Sequence, residues 1–288
     1  MTDLSAPNLF SVKGKVALVT GGGTGIGNMI AKALVRNGAK VYIASRKIDN
    51  LEKGFFTLTA ASELNALGPG TCVAIQANLN TKAACEQLAA DISSREDKLH
   101  ILVNNSGATW AAPLEDIPTS AWDRVMKLNV YAVYYLTMAC LPLLTKASQG
   151  PKDPARVLII GSVGGLVATE LKSIKKNGNY SIMAYNTSKA AVHHMGKALA
   201  AHLTSRGINV NVIAPGVFPT IMSKHQDEKG SIEETPMGRL GIESDLAGTA
   251  LYLSSTAGAY VSGAVIPVDG GLSLGSGGSP QSQVTSKI

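Results

Sequence analysis

The sequence predicts an α/β protein of one domain, a doubly wound parallel sheet of about seven strands with helices on both faces. Three observations carry that prediction. Short apolar, β-rich runs alternate with segments of helical periodicity along the whole chain. No composition shift or linker marks a second domain within 288 residues, and no internal repeat is evident. The first strand-like run breaks into glycines that lead directly into a helix, as the opening of a βαβ unit requires.

Taken in order, Lys15 to Thr20 (KVALVT) reads as a strand that breaks at Gly21-Gly22-Gly23-Thr24-Gly25-Ile26-Gly27, and Asn28 to Asn37 as a helix ended by Gly38. Lys40 to Ser45 (KVYIAS) is the second strand. Leu51 to Leu67 reads as helix, Gly68-Pro69-Gly70 as a break, and Cys72 to Gln76 as a third strand followed by Asn78-Leu79. Residues 81 to 95 are helical, and Leu99 to Val103 forms a fourth strand ending in Asn104-Asn105-Ser106-Gly107. Helical periodicity then runs from Ser120 to Leu144, with Asn129 inside it, before a fifth strand, Arg156 to Ile160, that ends at Gly161-Ser162. Leu166 to Ile182 breaks the pattern with scattered lysines and Asn177-Gly178-Asn179, an inserted loop beside the site. The helix from Met183 to Ser205 is closed by Gly207, and Ile208 to Ile213 is a sixth strand ending in Pro215-Gly216. Val217 to Leu240 is polar and long for a plain connection, which suits a substrate lid. Ser244 to Ser254 reads as helix and Val265 to Val268 as the last strand. The domain therefore spans residues 1–274, and the Gly, Ser and Gln rich residues 275–288 read as a flexible tail.

Composition narrows the function. An apolar share of 45% with 16% charged residues fits a globular protein with a large core. The net charge of +6 is scattered, its densest group being the three lysines of Lys172 to Lys176, which argues against nucleic acid and for a small partner carrying phosphates. Cys72, Cys85 and Cys140 form no CxxC pair and lie in apolar periodic segments, so they read as buried free thiols in a reducing compartment, with no disulfide or metal site. Residues 1–12 lack the pattern of a signal peptide, and no run of about 18 apolar residues suggests a membrane span.

The chemistry gathers around Tyr185-Asn186-Thr187-Ser188-Lys189. A phenol and an ammonium four residues apart share one helix face. A cation held beside a tyrosine favours the phenolate and draws its pKa down from about 10, which suits a proton donor near neutral pH. Upstream, the glycines spaced Gly21-x3-Gly25-x-Gly27 let the backbone approach a pyrophosphate while the N–H groups at the helix start face its charge. At the end of the second strand, Ser45, Arg46 and Lys47 offer a hydroxyl and two cations where a carboxylate would be needed for a free ribose 2′-hydroxyl; this favours NADP over NAD.

Together these residues resemble the short-chain dehydrogenase/reductase family over roughly residues 12 to 272, and imply its Rossmann-like fold. Thr20 to Gly27 is similar to the family's cofactor loop, with Gly21, Gly23, Thr24, Gly25, Ile26 and Gly27 as contacts, and Asn104 to Gly107 to its NNAG segment, with Asn105, Ser106 and Gly107 facing the cofactor. Asn129, Ser162, Tyr185 and Lys189 resemble its catalytic tetrad, and Pro215, Gly216 and Thr220 its nicotinamide cradle. Trp110, Asn209 to Pro219 and Thr235-Pro236-Met237-Gly238-Arg239 look most like the 3-oxoacyl reductases, particularly those of rhamnolipid synthesis. Asn78 stands where the family has an aspartate, Ser106 where it has an alanine, and Thr24 where NADP-using members often carry arginine; Asn78 and Leu79 complete the implied cofactor contacts.

The resemblance implies NADPH-dependent reduction of a ketone or acyl thioester, with Tyr185 as proton donor, Ser162 bonded to the carbonyl oxygen, Lys189 lowering the tyrosine pKa and Asn129 holding a relay water. It also implies a homotetramer. Physiological alcohol oxidation with NADP and a non-catalytic NADP-binding regulator are the alternatives. Location is read as cytoplasmic, or as peroxisomal through the terminal Ser286-Lys287-Ile288. His193, His194, Tyr180, Trp110, Trp122, Met183 and Met195 are read as packing, cleft wall or surface.

Overall fold

Both faces of the first strand, β1 (Val16–Thr20), are buried. Val16 and Leu18 pack into one apolar layer and Ala17 and Val19 into the other, as a strand alternating through a helix-covered sheet must. The structure, a computed structural model, describes residues 3–46, 56–168, 180–223 and 228–275.

A short helix α1 (Ala6–Leu9) precedes β1, and α2 (Gly25–Arg36) follows it. Then come β2 (Lys40–Ser45), α3 (Phe56–Asn65), β3 (Thr71–Gln76), α4 (Lys82–Ser93) and β4 (Ile101–Asn104). After β5 (Ala112–Pro113) the chain passes through α5 (Thr119–Met126), a π-helical segment (Lys127–Tyr131), α6 (Ala132–Ala139) and α7 (Leu141–Ala147) to β6 (Ala155–Ile160). β7 (Tyr180–Ser181), α8 (Met183–Leu203), β8 (Ile208–Pro215), α9 (Glu228–Glu234), α10 (Glu243–Ser254) and β9 (Val265–Val268) complete it.

Seven strands form one parallel sheet in the order β3-β2-β1-β4-β6-β8-β9. Leu18 lies between Tyr42 of β2 and Leu102 of β4. From β1 the chain winds outward through β2 to β3, then returns to lay β4 on the other side of β1. That reversal opens a crevice at the carboxyl ends of β1 and β4, the place where open α/β sheets bind ligands. Residues of α4, α6 and α8 share one apolar layer, and those of α2, α3 and α10 the other.

The structure corrects several boundaries. α2 begins at Gly25, three residues before the expected helix start; the left-handed Gly25 (φ +55°) opens it, and Gly27 lies against the Gly21 carbonyl, both glycines that helix propensity counts against a helix. The single helix expected from Ser120 to Leu144 is broken twice. The π-helical turn carries Asn129, and at Cys140 the axis bends by 56°, just before Pro142 in the first turn of α7. β4 starts two residues late, β8 continues through Pro215, and α8 hands over at Thr204 to a 3-10 turn that ends at Gly207, φ +75°. The expected inserted loop closes with β7, whose two residues pair antiparallel with β5, and the expected lid contains α9. Residues 51–55, 169–179, 224–227 and 276–288 of the anticipated helix, loop, lid and tail lie outside the described residues, as does Lys47.

All three cysteines are free and buried; burial pushes the thiols of Cys72, Cys85 and Cys140 up to about 12, about 11 and about 12. Among the described residues no single helix is long and apolar enough to cross a membrane. The bent pair Thr119–Ala139 and Leu141–Ala147 is so only when taken together, and its Leu136, Cys140 and Leu144 are fully buried in the protein core.

Candidate active site

A cleft of about 680 Å³ opens along the carboxyl edge of the sheet. Its floor at the switch point is laced by short polar bonds. The Thr20 hydroxyl accepts from the N–H groups of Asn105 (2.9 Å) and Ser106 (3.0 Å), while the Asn105 side-chain amide donates to the Thr20 carbonyl at 2.8 Å. The loops after β1 and β4 therefore move as one. The glycines are required by this closeness: a Cβ on Gly27 would lie 2.4 Å from both the Gly21 carbonyl oxygen and Asn105 Nδ2. Thr24, the N-cap of α2, makes no side-chain cap, so the first-turn N–H groups remain directed at the cleft, a ready anion site.

Electrostatics agree with an anionic ligand. Arg46, Arg124 and Lys189 line the cleft, and among the described residues no carboxylate does. Arg46 follows directly on β2, its carbonyl accepting from Gln76 Nε2 at 3.4 Å, which leaves its exposed side chain to reach over the cleft mouth.

At the other end, β6 delivers Ser162 and α8 delivers Tyr185 and Lys189. Ser162 caps the 3-10 turn Val163–Gly165, its hydroxyl oxygen accepting from the Gly164 N–H at 3.1 Å. Lys189, only 5% exposed, donates from Nζ to the Ile160 carbonyl at 2.7 Å and sits 5.5 Å from the centre of the Tyr185 ring. Burial pushes the Lys189 ammonium down to about 8. Burial is also the largest influence on the Tyr185 phenol and pushes it up, with the Ser162 hydroxyl drawing it back down. The expected lowering of the tyrosine by its lysine does not appear: desolvation raises the phenol, and the Ser162 hydroxyl, not Lys189, draws it down.

Asn129 lies beneath them. Its Oδ1 accepts from the Ala108 N–H at 2.8 Å, and its Nδ2 donates to the Ala108 carbonyl and to Ser188 Oγ, each at 2.9 Å. The π-turn aims this buried amide at the loop after β4. The side-chain amide of Asn129 thus braces that loop against α8.

Of the residues singled out in the sequence, Gly21, Gly23, Thr24, Gly25, Ile26, Ser45, Arg46, Leu79, Asn105, Ser106 and Gly107 reach the cleft, as do Ser162, Tyr185, Lys189, Pro215, Gly216 and Thr220. Gly27 and Asn129 stand behind it as supports. Asn78 is exposed and off the wall, which Ala77 and Leu79 form instead, because neighbours along an extended segment point to opposite sides. Sequence reasoning missed Arg124 and Leu128, one turn apart on the run leading to Asn129, and Ile221 and Met222 at the mouth. The i, i+4 spacing of Arg124 and Leu128 ahead of Asn129 was the available signal for the first two.

Comparison with known proteins agrees with this geometry. The family model described as Enoyl-(Acyl carrier protein) reductase matches residues 21–273. The rhamnolipids biosynthesis 3-oxoacyl-[acyl-carrier-protein] reductase of Pseudomonas aeruginosa is 42% identical over 270 residues, covering 92% of this chain and 98% of the relative. The 3-oxoacyl-[acyl-carrier-protein] reductase FabG of Salmonella typhimurium is 32% identical over 265 residues, covering 91% and 98%. Among solved structures, the Pseudomonas aeruginosa RhlG/NADP active-site complex superposes with a TM-score of 0.82 at 41% identity, covering 92% of this chain and 98% of that one. The NADPH-dependent 3-quinuclidinone reductase of Rhodotorula rubra gives 0.81 at 27% identity, covering 95% and 97%.

Proposed function

We propose that this chain, which belongs to the short-chain dehydrogenase/reductase family, reduces the carbonyl of a 3-oxoacyl thioester or related ketone to an alcohol with NADPH. The observation that carries the reading is the grouping of Ser162, Tyr185 and Lys189 at one end of a cleft with no carboxylate on its described wall and a glycine-rich helix start at the other. The N–H groups of the first turn of α2 hold the pyrophosphate, and Arg46 pairs with the 2′-phosphate. When bound, NADPH supplies the hydride for the carbonyl carbon.

The chain supplies the proton and the charge placement. Tyr185, kept protonated by burial, gives its phenolic proton to the carbonyl oxygen, which completes the alcohol with the hydride on carbon. Ser162 donates a hydrogen bond to the same oxygen as negative charge gathers there. The phenolate left on Tyr185 is stabilised by the Ser162 hydroxyl and by the positive charge of Lys189. Lys189, anchored on the Ile160 carbonyl, then returns a proton, and its value of about 8 fits that exchange near neutral pH. Asn129 keeps Ala108 and Ser188 in place around them.

The test is NADPH consumption over a panel of 3-oxoacyl thioesters and activated ketones, with the corresponding alcohols and NADP in the reverse direction. Turnover of a ketone is expected; binding of NADPH with no turnover in either direction would favour a non-catalytic regulator. The oligomeric reading is a homotetramer, supported by the exposed Tyr131 and Tyr134 beside the broken helix and tested by light scattering in solution. For location, a cytoplasmic protein and peroxisomal import through Ser286-Lys287-Ile288 are separated by a fluorescent protein ending in residues 275–288, diffuse signal favouring the first and puncta the second.

A further inference from the structure

We propose that His193 is a positioning residue for Ser162, its neutral ring fixing the turn that aims the serine hydroxyl into the cleft. The inference rests on the reading of Ser162 as the donor to the carbonyl oxygen. His193 lies four residues beyond Lys189 and eight beyond Tyr185, on the same face of α8, yet it does not line the cleft. It is 6% exposed, and its Nε2 accepts a hydrogen bond from the Ser162 backbone N–H at 3.3 Å.

The turn is shaped around the ring. A Cβ on Gly161 would stand 2.2 Å from Nε2, and one on Gly165 would stand 2.7 Å from Cε1. Residues 161–165 therefore close over the imidazole because Gly161 and Gly165 lack side chains. The consequence reaches the hydroxyl. With the Ser162 N–H held from behind and the Gly164 N–H given to Oγ at 3.1 Å, the serine's single O–H proton is left to point at the tyrosine and the substrate oxygen.

The acceptor must remain an acceptor. Nε2 can take the Ser162 N–H only when the ring proton is on the buried Nδ1, leaving that proton for the Gly165 backbone. Burial first, and then the charge of Lys189, push the ring down to about 4, so it is neutral above that pH, throughout the neutral range.

The experiment compares His193→Gln, whose side-chain oxygen reaches as far as Nε2, with His193→Asn, whose oxygen stops short of the Ser162 N–H, and His193→Leu, which has no acceptor. Readouts are kcat, the dissociation constant of NADPH from fluorescence, and Tm. His193→Asn and His193→Leu should lose about tenfold in kcat, the factor that about 1.4 kcal/mol on a barrier gives. NADPH affinity should hold in both, and His193→Gln should recover most of the rate. On a Ser162→Ala background the same substitutions should cost no further rate. If His193→Leu does not fold, the Asn and Gln pair carries the comparison. Equal kcat in Asn and Gln variants, or rate losses that persist undiminished without the serine hydroxyl, would overturn the inference. A Ser162→Ala enzyme of normal activity would instead overturn the underlying role of Ser162.

Discussion

Replacing Asn129 by alanine removes a brace before it removes any chemistry. Three buried hydrogen bonds disappear, two to the Ala108 backbone at 2.8 and 2.9 Å and one to Ser188 Oγ at 2.9 Å. Ser188 keeps its bond to the Tyr185 carbonyl at 2.7 Å and loses least. Ala108, itself buried, is left with an N–H and a C=O deprived of this partner. At about 1–3 kcal/mol for each buried group left unpaired, the loss is ~2–6 kcal/mol. For a chain of this size about 1 kcal/mol moves Tm by ~2–4 °C, so Asn129→Ala should melt at least ~4 °C below the parent. Circular dichroism melts at fixed protein concentration read this directly. NADPH affinity should fall as well, since Ala108 continues the segment Asn105–Gly107 on the cleft wall. A variant melting within about 2 °C of the parent, with unaltered NADPH affinity, would refute the brace.

Arg46→Asp should cost about ten- to a hundred-fold in NADPH affinity, the ~1.5–3 kcal/mol of one charge-assisted hydrogen bond, and should raise the relative use of NADH; unchanged kcat/KM for both cofactors contradicts the assignment. Lys189 carries a pH signature. Its folded value of about 8 lies below the ordinary 10.5, so the unfolded chain binds more protons between those limits and this group's contribution to stability rises with pH across that window, by roughly 3 kcal/mol. The buried thiols, raised to about 11 to about 12, pull the other way above pH 9 in any variant that keeps them, so the quantity to read is the difference between parent and Lys189→Met in denaturant unfolding from pH 7 to 10. A difference that does not change with pH would mean the ammonium is not buried as described.

Much of this was legible in the sequence where a short-range pattern carries the physics. The apolar runs of β1 and β2 are buried on both faces and so lack alternation, and the glycine break, the Tyr185 and Lys189 pair and the ends of the strands all fall where the cleft forms. What stayed hidden depends on tertiary contacts. A π-turn of five residues leaves no periodic trace, so Asn129 was placed in a continuous helix, although Pro142 did signal the later break. β5 and β7 are two residues each and pair across 66 or more positions, beyond any local signal. Asn78 rests on the family's aspartate position, and facing along the extended segment puts Ala77 and Leu79 on the wall instead. His193 reads as packing by itself; its spacing of four from Lys189 is the count that places it behind Ser162.

The most direct measurement is the turnover of Tyr185→Phe beside its NADPH affinity. The substitution deletes one hydroxyl from a half-buried side chain and leaves the glycine loop, Arg46 and Lys189 in place. Ketone-dependent NADPH oxidation should fall by at least about a hundred-fold, the lower range for a lost general acid, while NADPH binds within a few-fold of the parent. A Tyr185→Phe enzyme that keeps near-parental kcat would contradict it, because the proton would then come from another group.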